Sequence, residues 1–181
     1  MSLAPVIAIV GPSGVGKDSV MAALTARDPN IQPARRVITR PEGEEGEDFV
    51  RATVSEFDAM QDRGEFVLSW SAHGLNYGIP VAISQQRQHA RAVLVNLSRN
   101  VLKKAEDAFG DFIVISLTAD PKVLADRVAD RGRETPADQA KRLARFVTLP
   151  EGLTRVVEIN NDGPLDLTVD AILAQLEPVR G

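Results

Sequence analysis

Gly11–Asp18 (GPSGVGKD) carries the clearest chemistry in the chain. Its spacing is G-x-x-x-x-G-K; it follows the apolar run Val6–Val10 and opens a helical pattern from Lys17 to about Arg27. Glycines let successive backbone N–H groups converge on phosphate oxygens, and the helix N-terminus adds partial positive charge. Gly11, Pro12, Ser13, Gly14, Val15, Gly16 and Lys17 therefore read as a cradle for nucleotide phosphates. Lys17 would neutralise charge developing between the β- and γ-phosphates. Such loops usually continue with Ser or Thr, which holds Mg²⁺; here Asp18 takes that place, with Ser19 next. A carboxylate can hold a hard cation directly or through water, which makes Asp18 and Ser19 the metal candidates. The alternative is that Asp18 merely stabilises the helix N-terminus.

Two basic clusters accompany the loop. Arg35, Arg36 and Arg40 fall within six residues with no acid between them. Arg131, Arg133, Lys141, Arg142 and Arg145 fall within fifteen, against Glu134 and Asp138. On a helix from Pro136, Arg142 and Arg145 share a face, while Arg131 and Arg133 flank Gly132 just before it. Charge runs are commonly solvated faces. Beside a phosphate-binding loop, this one fits a lid over 131–145 that lays arginine forks on a phosphoryl group. No obvious general base accompanies these groups. His73, in Ala72-His73-Gly74, suits a structural or substrate contact better. If the acceptor is itself a phosphate, its oxygen is already ionised near pH 7, and positioning with charge neutralisation suffices.

These side chains need a frame, and the pattern supplies one. Val6–Val10, Ala92–Leu97 and Phe112–Leu117 are near-continuous apolar blocks, the mark of strands buried on both faces. Arg155–Asn160 is a fourth block and Phe66–Trp70 a shorter, more alternating one. Helix starts are signalled by Thr135-Pro136, Asp120-Pro121 and Ser55-Glu56, with Gly64 as a stop after the last. Strands alternating with helices predict a parallel sheet covered on both sides. Pro41–Asp48, with five acids and two glycines, predicts a surface loop.

Composition closes off several function classes. The 181 residues are 44% hydrophobic and 25% charged, the profile of one globular domain. A net charge of −4 and eight aromatics argue against a nucleic-acid partner. The absence of cysteine excludes disulfides, thiolate metal sites and a cysteine nucleophile; two histidines are too few for a His-rich metal site. Leu3–Val10 lacks a basic leader and is too short to span a bilayer, so no membrane role and a cytoplasmic setting are expected. Nothing in the sequence signals an oligomer interface.

Taken in order, the motifs are the phosphate loop, Ile38-Thr39-Arg40, Gly43-Glu44-x-Gly46-x-Asp48-Phe49, Trp70-x-x-His73-Gly74-x-x-Tyr77-Gly78, Arg131-Gly132-Arg133 and Asn160-Asn161-Asp162. This order resembles the guanylate kinase family over about Val6 to Gly163. The resemblance implies a three-layer α/β P-loop kinase fold in a single domain. Its core would be about 1–34 and 80–181, an acceptor-binding segment about 35–79, and the lid about 131–145. The departures fall where guanine would be read. Ser69 stands for the family's Glu, Ile79 for its Ser or Thr, Phe49 for a phosphate-reaching Tyr, and Asn96 for a core-strand Asp. A site that loses hydrogen-bonding partners for a base loses discrimination steeply, so the expected acceptor is phosphorylated but carries no guanine.

The closer resemblance is to the ribose 1,5-bisphosphate phosphokinases, guanylate-kinase-like enzymes of phosphonate degradation. It rests on Lys17-Asp18-Ser19, Leu68-Ser69-Trp70, Tyr77-Gly78, Arg131-Gly132-Arg133-Glu134 and Asn160-Asn161-Asp162-Gly163. The resemblance implies ATP- and Mg²⁺-dependent conversion of ribose 1,5-bisphosphate to 5-phosphoribosyl 1-diphosphate. Catalytic roles would fall to Lys17, Arg133 and Arg142. Arg131 would join the nucleotide site. Acceptor contacts would come from Arg36, Arg40, Ser69, Tyr77 and Arg145. Asn160 and Asn161 would approach the adenine edge, or else close a strand-to-loop turn with Asx hydrogen bonds. A guanylate or other nucleoside monophosphate kinase, and a non-catalytic binding module on the same frame, are the rival expectations.

Overall fold

The protein is described here by a computed structural model covering residues 3–11, 15–40, 49–72, 74–120, 122–123, 126 and 152–176. The lid segment 131–145, the loop residues Pro12, Ser13 and Gly14, the acidic loop Pro41–Asp48 and His73 lie outside the described residues.

The apolar run Val6–Val10 forms β1, buried along its whole length. It sits at the centre of a five-stranded, all-parallel sheet together with β2 (Ile31–Pro33), β7 (Ala92–Val95), β8 (Phe112–Thr118) and β9 (Val156–Asn160), in the order β2-β7-β1-β8-β9. Strand alternation sorts the core by face. Ile7, Ile9, Leu94, Ile113 and Ile115 pack with Val20 and Leu24 of α1 (Lys17–Arg27) and with Val169 and Ile172 of α5 (Leu165–Leu176). Val6, Ala8, Val93, Val95 and Val114 pack with Ile83 of α3 (Ile83–His89) and with Leu102, Ala105 and Phe109 of α4 (Leu102–Phe109). Helices thus cover both faces, giving the three expected layers. A residue such as Ile9, fully buried on such a face, contributes ~2–3 kcal/mol by its removal from water.

A second, mixed sheet runs β4-β3-β6-β5, built from β3 (Arg36–Ile38), β4 (Phe49–Arg51), β5 (Phe66–Ala72) and β6 (Leu75–Pro80). Its faces are also sorted by alternation. Leu68 and Ile79 face the main core. Val37 and Phe66 face α2 (Val54–Asp62), where they meet Phe57 and Met60. Gly78 belongs to this second face: a Cβ there would sit 2.6 Å from the Phe66 ring, so the ring requires glycine. The α2 start differs from expectation by two residues. Thr53 caps it, its Oγ1 accepting from Glu56 N at 3.1 Å while Glu56 Oε1 accepts from Thr53 N at 2.9 Å. Ser55 lies inside the first turn. Gly64, at a φ of 71°, ends the helix as expected, with Glu65 N donating to Met60 O and Gly64 N to Gln61 O.

Candidate active site

The phosphate loop is held by its packing. Gly11 leaves β1 against β8, where a Cβ would lie 2.7 Å from Val15 Cγ1 and 2.9 Å from the Leu117 carbonyl. Gly16 caps α1 with a φ of 97°, a conformation that favours glycine. From behind, Asn161 ties the loop to the sheet. Its Nδ2 donates to the Val15 carbonyl at 2.7 Å and its Oδ1 accepts from Thr168 Oγ1 at 2.5 Å, while its own N–H bonds Thr118 O at 2.7 Å. Asn161 is buried, 5% exposed. Lys17 is half-buried at the head of α1, and Asp18 and Ser19 are exposed beside it.

Lys17 opens onto a cleft of about 590 Å³ at the carboxyl ends of β1 and β7. Its wall includes Arg36, Tyr77, Trp70, Asn96, Ser98 and Arg99, with no carboxylate among the described residues that line it. Ligands of parallel sheets bind at this end. The Tyr77 ring stacks on Trp70, with centroids 5.3 Å apart, and carries the Arg36 guanidinium 4.9 Å from its centre. Two hydrogen bonds join the second sheet to the exit of β7. Arg36 Nη1 donates to Asn96 O at 3.1 Å, and Trp70 Nε1 donates to Ser98 Oγ at 3.0 Å. Arg36 is buried, and desolvation pushes its pKa down to about 10 despite the opposing pull of Tyr77 and Asp18. A multiply charged anion in this cleft would meet cations from both sheets.

A family profile described as an AAA domain matches residues 7–147. Among curated proteins, a ribose 1,5-bisphosphate phosphokinase from Ruegeria sp. strain TM1040 is 52% identical over 91% of this chain and 87% of its own. One from Pseudomonas paraeruginosa is 41% identical over 94% of each chain. The chain belongs to the ribose 1,5-bisphosphate phosphokinase family. Among solved structures, guanylate kinase from Anaplasma phagocytophilum superposes with a TM-score of 0.65 at 20% identity, covering 97% of this chain and 85% of that one. That likeness is one of fold, and it agrees with the layered P-loop architecture.

For this member of the phosphokinase family, the structure brings Lys17, Arg36 and Tyr77 to one cleft. Other expected residues sit elsewhere. Ser69 lies on the opposite face from Trp70 and Tyr77, pairing with Gly78, and its Oγ accepts from Gln61 Nε2 at 3.3 Å. Strand alternation carries it toward α2 and away from the cleft wall. Arg40 rests its guanidinium 4.9 Å from the Phe49 ring centre and forms no part of that wall. Asn160 closes an Asx turn, accepting from Asp162 N and donating to Asp162 Oδ2, both at 2.9 Å. The Asn161 carboxamide donates to Val15 O and accepts from Thr168 Oγ1 beneath the loop. Pro12, Ser13, Gly14, Arg131, Arg133, Arg142 and Arg145 lie outside the described residues. Trp70 and Arg99 line the cleft without having been expected there. Arg99 follows the buried run Ala92–Val95 by a few residues, and position at the carboxyl end of a parallel strand is the signal that points to it.

Proposed function

We propose that the chain transfers the γ-phosphoryl group of ATP to ribose 1,5-bisphosphate, giving ADP and 5-phosphoribosyl 1-diphosphate, in the cytoplasm and without a nucleic-acid or membrane partner. The observation that supports this most directly is the cleft wall, cationic at Lys17, Arg36 and Arg99 and, among the described residues, lined by no carboxylate. An acceptor with two phosphates suits it; a neutral sugar does not. Backbone amides between Gly11 and Lys17 would cradle the donor phosphates. An oxygen of the acceptor's 1-phosphate would attack the γ-phosphorus as the bond to the β–γ bridging oxygen breaks. That oxygen is already ionised, so no proton need be removed. Arg36 and Tyr77 would hold the acceptor, with Arg40 and Arg145 nearby. Arg131, Arg133 and Arg142 would close over the transferring group and exclude water.

The residues present suit Mg²⁺. The described residues hold no cluster of three acidic or histidine ligands, and Mg²⁺ in such kinases takes one or two protein oxygens with substrate phosphates supplying the rest. Asp18 and Ser19, exposed in the first turn of α1, would be those oxygens. The ion would supply charge neutralisation on the β- and γ-oxygens.

The test is ADP production from Mg-ATP with ribose 1,5-bisphosphate and, side by side, GMP. Turnover with the sugar alone is the expected result. Turnover with GMP alone would overturn the acceptor assignment, and ATP consumption with neither would leave no support for it.

A further inference from the structure

We infer that Thr168, on α5, is a positioning residue for the phosphate loop, acting through Asn161. The inference rests on the assignment of that loop to the ATP phosphates above. Thr168 stands one turn before Ile172 on the face that α5 turns to the core, and it is 3% exposed. Burial alone would be served as well by valine, which has nearly the same shape. What threonine adds is a hydroxyl. Inside a helix such a hydroxyl commonly donates to the carbonyl one turn back. Thr168 Oγ1 instead donates out of the helix, to Asn161 Oδ1 at 2.5 Å. Asn161 Nδ2 in turn donates to Val15 O at 2.7 Å, and a Cβ on Gly16 would lie 2.9 Å from that same nitrogen. The relay therefore ends on the two residues that precede Lys17.

Both ends of the relay have a firm footing. Asn161 N donates to Thr118 O at 2.7 Å, at the end of β8. The helix α5 lies on α1 through Val169 and Ile172 against Val20 and Leu24, and Arg27 Nη1 donates to Asp170 Oδ1 at 2.6 Å. With the two backbones placed, the carboxamide is set by its terminal torsion, which is broad for asparagine. A donor at one end and an acceptor at the other narrow it. Accepting at Oδ1 also strengthens Nδ2–H as a donor, since hydrogen bonds in series polarise one another. Removing the hydroxyl takes this donor from a buried amide oxygen and holds the carboxamide less tightly against Val15 O. The loop amides would then meet phosphate oxygens in poorer register. Thr168 reaches the nucleotide only through this path.

The experiment is titration calorimetry with Mg-ADP on wild type, Thr168→Val, Thr168→Ser, Asn161→Ala and the Thr168→Val/Asn161→Ala double variant. Loss of one buried hydrogen bond predicts a dissociation constant raised roughly 3- to 30-fold in Thr168→Val. Thr168→Ser keeps the hydroxyl and should bind within about threefold of wild type. In the Asn161→Ala background, adding Thr168→Val should cost nothing further, because the path is already cut. A Thr168→Val constant raised less than about threefold would overturn the proposal. So would a serine variant that binds no better than the valine one. A valine effect that adds in full to that of Asn161→Ala would mean that Thr168 acts by packing, and overturns it too. Should Thr168→Val not fold, Thr168→Ala carries the same test; if neither folds, the residue serves the fold and the proposal fails. Wild type that does not bind Mg-ADP would instead sink the assignment of the loop itself. Wild type that binds, with Thr168→Val indistinguishable from it, would sink this inference alone.

Discussion

Asn161→Asp tests whether the phosphate loop is held from behind. The change is nearly isosteric, and the new carboxylate still accepts from Thr168 Oγ1. It removes the Nδ2–H donor from the Val15 carbonyl, which it now faces oxygen to oxygen at the former 2.7 Å contact. Depriving a buried carbonyl of a donor costs ~1–3 kcal/mol, and burying a carboxylate adds to it; we take ~3 kcal/mol as the working sum. For a chain of this length each kcal/mol lowers the melting temperature by about 2–4 °C, so a drop of ~6–12 °C is expected at pH 7.5. Burial beside a carbonyl raises the pKa of the new acid, and the protonated form can donate to Val15 O. A folded-state pKa above the unfolded one makes the deficit largest at high pH and relieves it as pH falls through the raised value. Scanning fluorimetry from pH 5 to 8 measures this, with the KM for ATP followed in parallel. The KM for ATP should rise while the acceptor KM holds. A variant melting like wild type at pH 7.5, or one whose deficit is the same at pH 5.5 and 8, would refute the role given to Asn161.

Gly78→Ala places a methyl 2.6 Å from the Phe66 ring and should cost ~1–3 kcal/mol by overpacking, measured in urea melts; Phe66→Leu in the same chain should recover part of it. Lys17→Met keeps the stem and removes the charge, so kcat should fall by ~10²–10³ with the fold intact by circular dichroism. Glu106, hydrogen-bonded by Lys103 Nζ and by Thr154 N, has its pKa pulled down to about 2, so its contribution is present above the usual carboxylate range and fades as pH falls toward 2. The melting-temperature gap between wild type and Glu106→Gln should therefore narrow from pH 7 to pH 3; a constant gap would contradict the assignment.

What could be read from the sequence followed from how far each signal is local. β1 and the loop after it are legible because a doubly buried strand leaves an unbroken apolar run and a phosphate loop has its own spacing. The three-residue strands β2, β3 and β4 are too short to show a period, and they exist because neighbouring strands supply the hydrogen bonds. The helix α4 begins without a side-chain cap, which leaves no start signal. Within the site, Lys17, Arg36 and Tyr77 were legible by type and spacing. The face that Ser69 occupies could not be read, because one residue of strand phase exchanges the two faces of a sheet. Asn160-Asn161-Asp162 reads alike whether its amides face a ligand or the chain; the fold gives one to an Asx turn and the other to the back of the loop. Arg99 in isolation resembles any surface arginine until β7 fixes where it stands.

The architecture also explains why the cleft is cationic at some cost. Holding the Arg36 charge under partial desolvation is worth ~3 kcal/mol against it, judged from its descent to a pKa of about 10. That net figure already includes the opposing pull of Tyr77 and Asp18 and the repulsion from Arg40. An entering phosphate supplies countercharge at the place where the protein holds it back, and a neutral acceptor cannot. Burial that is unfavourable in the free protein thereby becomes discrimination in the complex. It requires that Arg36 not swing out to solvent, which is the work of the Asn96 carbonyl and the Tyr77 ring. The same stitch, with Trp70 on Ser98, fixes the second sheet against the exit of β7, so that cations carried by both sheets line one cleft.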